Sequence, residues 1–283
     1  MKRIYALLGF DVEHDAEPLS EECKGIEEGL PKILDLLDDL DVRATFNILA
    51  CLVKDYREEF LEIKRRGHEI GSHSFTHDAL SLLPDDEIKK QIKRSTEEIE
   101  RELGRPFTFR APYLLGDTRM INILDKHNYV VDSSLSIAHC PSQILPFHPS
   151  KSEWTENGDL NILEVPVCAD PEMDGIESDI WPGWRTKEMR ETERKINSLL
   201  KKQSGISSSG VIAFYLHPWE FVEMKFDLPD QERLRVCGGT GEKALNRLKE
   251  IIRWLKREKD AEFLTMSDFR EAWIEEKSNF MDL

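Results

Sequence analysis

Nowhere does this 283-residue chain hold a run approaching the roughly 20 apolar residues that a membrane-spanning helix needs. Disulfide signals are also missing. The five cysteines (Cys23, Cys51, Cys140, Cys168 and Cys237) are odd in number, widely spaced and never in a C-x-x-C pair. A disulfide framework is therefore not expected. Positive charge is scarce: 39 Lys and Arg stand against 55 Asp and Glu, a net charge of −16. Such a surface repels phosphate backbones and anionic membranes, which argues against a nucleic-acid partner and against membrane docking. The apolar run Ile4–Leu8 behind Met1-Lys2-Arg3 is too short for a signal-peptide core. It is followed at once by Asp11, Glu13 and Asp15, without a small-residue cleavage site. The expectation is a cytoplasmic protein. Internal repeats and an interdomain linker are absent too, and 33% charged with 40% hydrophobic residues reads as globular. A length prior alone suggests about two domains, but α/β barrels of this size are commonly one.

What is present is an alternation of short apolar runs and amphipathic segments. Ile4–Phe10, Val42–Leu52, Phe107–Arg110, Tyr129–Val131, Leu160–Val167, Val211–His217 and Glu262–Leu264 read as strands. Ile26–Leu40, Tyr56–Arg66, Pro84–Leu103, Asp117–His127, Thr186–Lys202 and Glu242–Lys259 carry helical spacings. Residues 133–160 and 170–184 are irregular, and 223–241 forms a further loop with Gly238-Gly239-Thr240-Gly241. Strands alternate with helices about seven times. This predicts an α/β fold of parallel βα units, about seven strands in a closed or nearly closed barrel and a single domain, with an open doubly wound sheet as the alternative.

The sequence centres on Gly71-Ser72-His73-Ser74-Phe75-Thr76-His77. On a helical turn, residues four apart share a face with Cβ atoms about 5–6 Å apart. That spacing suits two imidazole ligands of one metal ion. Taken alone, the pair fits two surface histidines as well. Other polar residues stand where apolar runs end: Asp11 after Leu7–Phe10, Arg110 after Phe107–Phe109, Asp132 after Tyr129–Val131, and His217 after Phe214–Leu216. In a parallel barrel all of these lie on the C-terminal rim, where active sites are built.

These segments resemble the polysaccharide deacetylase family, carbohydrate esterase family 4, with its NodB homology domain. Gly9-Phe10-Asp11-Val12-Glu13 resembles the first motif, usually Thr-Phe-Asp-Asp-Gly. His73-Ser74-Phe75-Thr76-His77, Arg110-Ala111-Pro112-Tyr113 and Leu216-His217-Pro218 match later ones. Ala44-Thr45-Phe46 and Gly67-His68-Glu69-Ile70-Gly71 also resemble the family. The likeness runs over about residues 4–270, with long loops at 133–185 and 223–241. It implies a distorted (β/α) barrel and metal-dependent hydrolysis of amide or ester bonds, mostly N-acetyl groups on sugars. Carried onto this chain, it implies His73 and His77 as ligands of a divalent metal, zinc first, with cobalt or another divalent ion open. It further implies Asp11 as general base, Arg110 as its orienting partner, His217 as general acid, and the backbone N–H of Tyr113 as an oxyanion donor.

The first motif departs from the pattern. The family's second Asp, a metal ligand, is here Val12, which cannot coordinate. Glu13 is two residues from Asp11 and shares its side of an extended strand. It is the favoured third ligand, with direct ligation by Asp11 as the alternative; His14 fits a polar loop better. Asp132 or Glu164 is expected to hold His217, an N-cap or turn role for Asp132 being equally open. Trp181, Trp184 and Trp219 are candidates for a sugar-stacking wall or for core aromatics. His68 is expected in or near the core, His139 and His148 in solvent. The expected partner is a carbohydrate or other small-molecule substrate; oligomeric state is not legible. An acetyl-sugar deacetylase is favoured. A hydrolase of small cyclic amides or ureides on the same scaffold, and a carbohydrate-binding protein without catalysis, are the alternatives.

Overall fold

The computed structural model describes residue 1 and residues 3–281. Eight strands form one sheet: β1 (Arg3–Val12), β2 (Thr45–Ile48), β3 (Glu69–Ser72), β4 (Thr108–Phe109), β5 (Val131–Asp132), β6 (Leu163–Glu164), β7 (Ser209–Leu216) and β8 (Glu262–Phe263). Their order is β6-β5-β4-β3-β2-β1-β7, with β8 added on β1, and all the named pairings are parallel. β1 lies between its neighbours and is buried from Tyr5 onward. A strand covered on both faces reads as a continuous apolar run rather than an alternation, which is why Tyr5–Phe10 is so legible. The strands curl into a nearly closed barrel, as the alternation predicted. At its seam, beyond β6, the Cys168 N–H donates to Ala213 O on β7 at 2.9 Å.

Helices cover the outside: α1 (Leu30–Asp39), α2 (Arg57–Arg65), α3 (Asp85–Leu103), α4 (Thr118–Lys126), α5 (Gly183–Thr186), α6 (Met189–Gln203), α7 (Asp230–Cys237), α8 (Glu242–Lys259) and α9 (Met266–Met281). The long ones bury one stripe each. In α3 it is Ile88, Ile92, Ser95, Thr96, Ile99 and Leu103, spaced three to four apart. Asp117 caps α4 by accepting the Met120 N–H at 2.8 Å. No helix among the described residues is long and apolar enough to cross a membrane.

Three features differ from the sequence reading. The 223–241 loop contains α7, which buries none of its residues and so shows no apolar period. The helix expected from Ile26 begins instead as a π-turn over Gly25–Gly29. Beyond residue 264, α9 lays Met266, Phe269 and Trp273 against Tyr5 and Leu7 of β1.

Register sets the site. Asp11 pairs with Asn47, and Asn47 with Gly71. Phe10 pairs with Leu216, which brings His217 level with Asp11. The C-terminal ends of β1, β3, β4 and β7 therefore deliver their polar residues to one rim.

Candidate active site

Asp11, Glu13, His73, His77 and His217 line one cavity of about 400 Å³, walled by Tyr113, Trp181 and Tyr215. Alternation along β1 explains the first two. Asp11 faces the cavity, Val12 joins the hydrophobic core, and Glu13 returns to the side of Asp11. Asp15 pins the next segment, accepting the Lys24 and Gly25 N–H groups at 2.8 Å each.

Glu13 is 6% exposed. Its Oε2 lies 2.8 Å from His77 Nε2 and 3.4 Å from His73 Nε2; its Oε1 lies 3.7 Å from His217 Nε2. Trp219 Nε1 donates to Oε1 at 3.3 Å. Burial alone would push the Glu13 carboxyl up. The facing imidazoles of His217, His73 and His77 outweigh it and hold the group well below the usual carboxylate range. Burial pulls His73 and His217 down, but nearby carboxylates raise both above an ordinary histidine: Asp11 and Glu13 for the first, Glu13 and Glu220 for the second.

The ring of His73 is fixed by a contact of 2.8 Å between Nδ1 and Arg110 O. A carbonyl only accepts, so Nδ1 carries the proton and Nε2 offers its lone pair to the cavity. One donor atom from each of Glu13, His73 and His77 falls in a group whose members all lie within 4.8 Å of one another. Two imidazoles and a carboxylate are a zinc-type donor set that leaves room for a fourth position. His77 Nδ1 is buried without a hydrogen-bond partner among the described residues, with Glu17 Oε2 3.9 Å away. The histidine pair does not ride a helical turn. Residues 73–79 are loop, and a left-handed φ of 73° at Ser74 folds the backbone so that the two rings come to 5.2 Å.

Asp11 stands apart from that donor group. Its Oδ1 accepts Asn47 Nδ2 at 2.9 Å and Arg110 Nη1 at 3.1 Å. Arg110 is wholly buried and anchored further by Ser133: Nε to its carbonyl at 2.9 Å and Nη2 to its Oγ at 3.0 Å. It lies so close over β1 that a Cβ on Gly9 would meet Nη2 at 2.6 Å. Tyr113 takes a left-handed φ of 58°, and its half-exposed ring packs edge-on against His77 at 4.3 Å.

Several expectations need correction. Asp132 does not reach His217 and is not in the cavity wall. It pairs in register with Glu164, so the two carboxyls meet on adjacent strands. Ser134 Oγ donates to Asp132 Oδ1 at 2.6 Å and receives the Ala111 N–H at 2.9 Å. Burial pushes Asp132 up to about 6 and Glu164 well above its usual value. The partner of His217 is instead Glu220, whose Oε2 lies 3.4 Å from Nδ1. Trp219 is 3% exposed and stacks on His217 at 4.9 Å, so it backs the imidazole rather than offering a free face. Trp184 is core, against Phe221. Trp181 does line the cavity, but Arg235 sits 4.9 Å over its ring. His68 is buried beside Phe46, while His139 is exposed and His148 bonds Ile162 O. Sequence reasoning missed Asn47 and Glu220. An amide inside the apolar Phe46-Asn47-Ile48 and a Glu three residues after a helix-capping His were the available signals.

Residues 7–131 match the family model for polysaccharide deacetylase. Over 98 residues the chain is 31% identical to a chitooligosaccharide deacetylase of Azorhizobium caulinodans, covering 34% of this chain and 47% of that one. Over 87 residues it is 36% identical to a peptidoglycan-N-acetylglucosamine deacetylase of Bacillus cereus, covering 30% and 32%. The matches thus span about half or less of these relatives. Among solved structures, a Mycobacterium smegmatis protein classed with the polysaccharide deacetylases superposes with a TM-score of 0.69 at 21% identity, over 98% of this chain and 92% of that one. The allantoinase PuuE superposes at 0.66 with 14% identity, over 96% and 90%. At these identities the superpositions speak for the fold. Residues 7–131 thus match the polysaccharide deacetylase family, and the barrel built around them shares its fold with the superposed structures.

Proposed function

We propose that the protein is a metal-dependent hydrolase that removes the acetyl group from an N-acetylated sugar or glycan precursor. The observation that carries this reading is the convergence of Glu13, His73 and His77 on one point, with Asp11 and His217 lining the same cavity. Glu13, His73 and His77 would hold the cation, zinc by the character of the donor set. Bound there, a divalent cation lowers the pKa of water from 15.7 to about 7 and polarises an amide carbonyl.

The chain's own residues supply the proton transfers. Asp11, held by Asn47 and Arg110, takes a proton from the attacking water. His217, which carboxylates raise above its ordinary value, returns a proton to the departing amine. Water adds to the carbonyl carbon, the C–N bond breaks, and acetate and a free amine leave. The Tyr113 N–H serves as oxyanion donor; one such donor is worth about 3 kcal/mol. In a cytoplasmic setting the substrate is a soluble or lipid-linked precursor rather than assembled wall polymer. The cavity of about 400 Å³ supports that choice, since it lies at the small end of ligand sites.

The test is acetate release from a panel of N-acetylated amino sugars and short oligomers, with zinc or cobalt added and again with chelator. Metal-dependent acetate is expected. Its absence in protein carrying its metal, together with ring opening of a cyclic amide, would replace this reading. Sugar binding without turnover of any substrate would assign a non-catalytic role.

A further inference from the structure

We propose that Glu220 is the positioning residue for His217, and that Arg185 acts through it to hold the acid and the cavity wall as one unit. The inference rests on the assignment of His217 as proton donor and names what fixes its ring.

Glu220 closes the short 3-10 turn Pro218–Phe221, so its carboxylate folds back on His217. Both of its oxygens are in use. Oε2 accepts the His217 backbone N–H at 2.9 Å and faces Nδ1 at 3.4 Å. Oε1 accepts Trp181 Nε1 at 2.9 Å and Arg185 Nε at 2.5 Å. An ionised carboxylate has no proton to give, so Nδ1 is the donor. Nε2 is thereby turned to the cavity, 3.7 Å from Glu13 Oε1. The rings of Tyr215 and Trp219, at 4.6 and 4.9 Å, close on the imidazole and leave it little freedom to rotate.

Arg185 makes the arrangement durable. Its side chain and that of Glu220 are fully buried as an ion pair. Its other nitrogens bind Arg235 O at 2.7 Å, Val236 O at 3.2 Å and Gly238 O, at the C-terminal end of α7. A cation at that end satisfies carbonyls the helix leaves open. Alongside the packing of Val236 and Cys237 on Trp219, Val222 and Met224, this guanidinium ties down α7, whose Arg235 and Val236 line the cavity. A simple capping role would explain only the bond to the His217 N–H. A neutral Gln, Ser or Asn makes that bond without taking a full charge out of water. The buried arginine is what a charged orienting group requires.

The test compares Glu220→Gln with wild type in the full metal-loaded chain, on two substrates. For an N-acetylated amino sugar the amine must be protonated to leave; for p-nitrophenyl acetate the phenolate leaves unaided. Loss of an oriented general acid, worth about 10²–10⁴-fold, is expected to lower kcat on the amide on the order of 10²-fold at unchanged KM. The ester rate should change little and metal content not at all. An equal fall on both substrates means a purely structural role and overturns the proposal; so does an unchanged amide rate. Because Glu220→Gln leaves Arg185 unpaired, the doubly neutral Arg185→Gln/Glu220→Gln chain is run beside it; its amide kcat should again fall further than its ester kcat, with KM raised on both substrates by the loosened wall. Ring ¹⁵N–¹H correlation spectra give a readout independent of turnover. Wild-type His217 should be protonated at Nδ1, and Glu220→Gln should shift the population to Nε2. If neither substrate turns over, the deacetylase reading has failed, yet an Nδ1 proton retained in the variant would still refute the role given to Glu220.

Discussion

Adding one methyl group to β1 at Gly9 tests the link between packing and chemistry. In Gly9→Ala the new Cβ would lie 2.6 Å from Arg110 Nη2, 2.7 Å from Nη1 and 2.9 Å from Cζ, where ordinary contact begins at 3.4 Å. The guanidinium ends a flexible stem, but it is not free to swing aside. It is buried and bonded to Ser133 O, Ser133 Oγ and Asp11 Oδ1. Relieving the clash stretches at least one of those bonds. Overpacking costs about 1–3 kcal/mol. A hydrogen bond to a charged group adds about 1.5–3 kcal/mol. The expected loss is therefore about 3–5 kcal/mol, out of the ~5–15 kcal/mol that holds a typical protein folded. The chain should fold, with a clearly lower urea midpoint.

Activity should suffer more than folding. Arg110 and Asn47 together aim Asp11, and a misplacement of about 1 Å can cost on the order of 10²-fold in rate. Urea titration followed by fluorescence, and acetate release at saturating substrate, measure the two effects. Gly183→Ala is the control: its nearest neighbour is 3.8 Å from the added Cβ, so it should leave both unchanged. Wild-type stability and turnover in Gly9→Ala would refute both the packing argument and the role given to Arg110.

His73→Ala should abolish metal binding, read by isothermal titration calorimetry with zinc, while circular dichroism stays native; full occupancy would remove it from the ligand set. Glu13→Gln should weaken metal binding, whereas Asp11→Asn should keep the metal and lose turnover. If the two variants behave the other way round, Asp11 is the ligand. The Asp132–Glu164 pair predicts a pH dependence of stability. Folding raises both carboxyls, Asp132 to about 6, so the native state holds protons that the unfolded chain has released. The pair therefore costs nothing below the unfolded values near 4 and increasingly destabilises the fold as pH rises through 6 and beyond. Urea midpoints measured from pH 5 to 8 should fall in wild type and fall less in Glu164→Gln; parallel curves would contradict the shared burial.

How much of this was legible in the sequence depended on the range of the interaction. The strand ends could be read because burial on both faces writes a continuous apolar run, and the first polar residue after it marks the rim. Asp11, Arg110 and His217 were found that way. The conformation of the histidine segment could not be. Four-residue spacing is a helical signature, but a left-handed Ser74 brings the same two side chains together in a loop, and a serine does not announce a positive φ. Helix α7 was invisible because it buries no apolar stripe; the bonds of Arg185 to its C-terminal carbonyls and the half-buried Val236 and Cys237 hold it. The partner of His217 was sought among carboxylates at strand ends. Register gives Asp132 a nearer neighbour in Glu164, while a three-residue turn supplies Glu220 locally.

Position 12 is the most instructive departure. A valine where the resemblance implies a ligand reads at first as a lost site. Yet alternation puts Val12 into the core with Phe10 on one side of β1 and leaves Asp11 and Glu13 together on the other. A carboxylate at 13 is two residues beyond Asp11 and past the strand's last residue, where the chain bends under the hold of Asp15 on Lys24 and Gly25. Its extra methylene relative to Asp extends the reach from that bend to 2.8 Å from His77 and 3.4 Å from His73. The carboxylate at 13 thus stands on the cavity side with Asp11, opposite Val12, and the pinned segment after it keeps it there. On this argument Glu13→Asp, which keeps charge and face and shortens only the reach, should weaken zinc binding nearly as much as Glu13→Gln. Calorimetry showing undiminished affinity in Glu13→Asp would mean that reach is not what places the carboxylate.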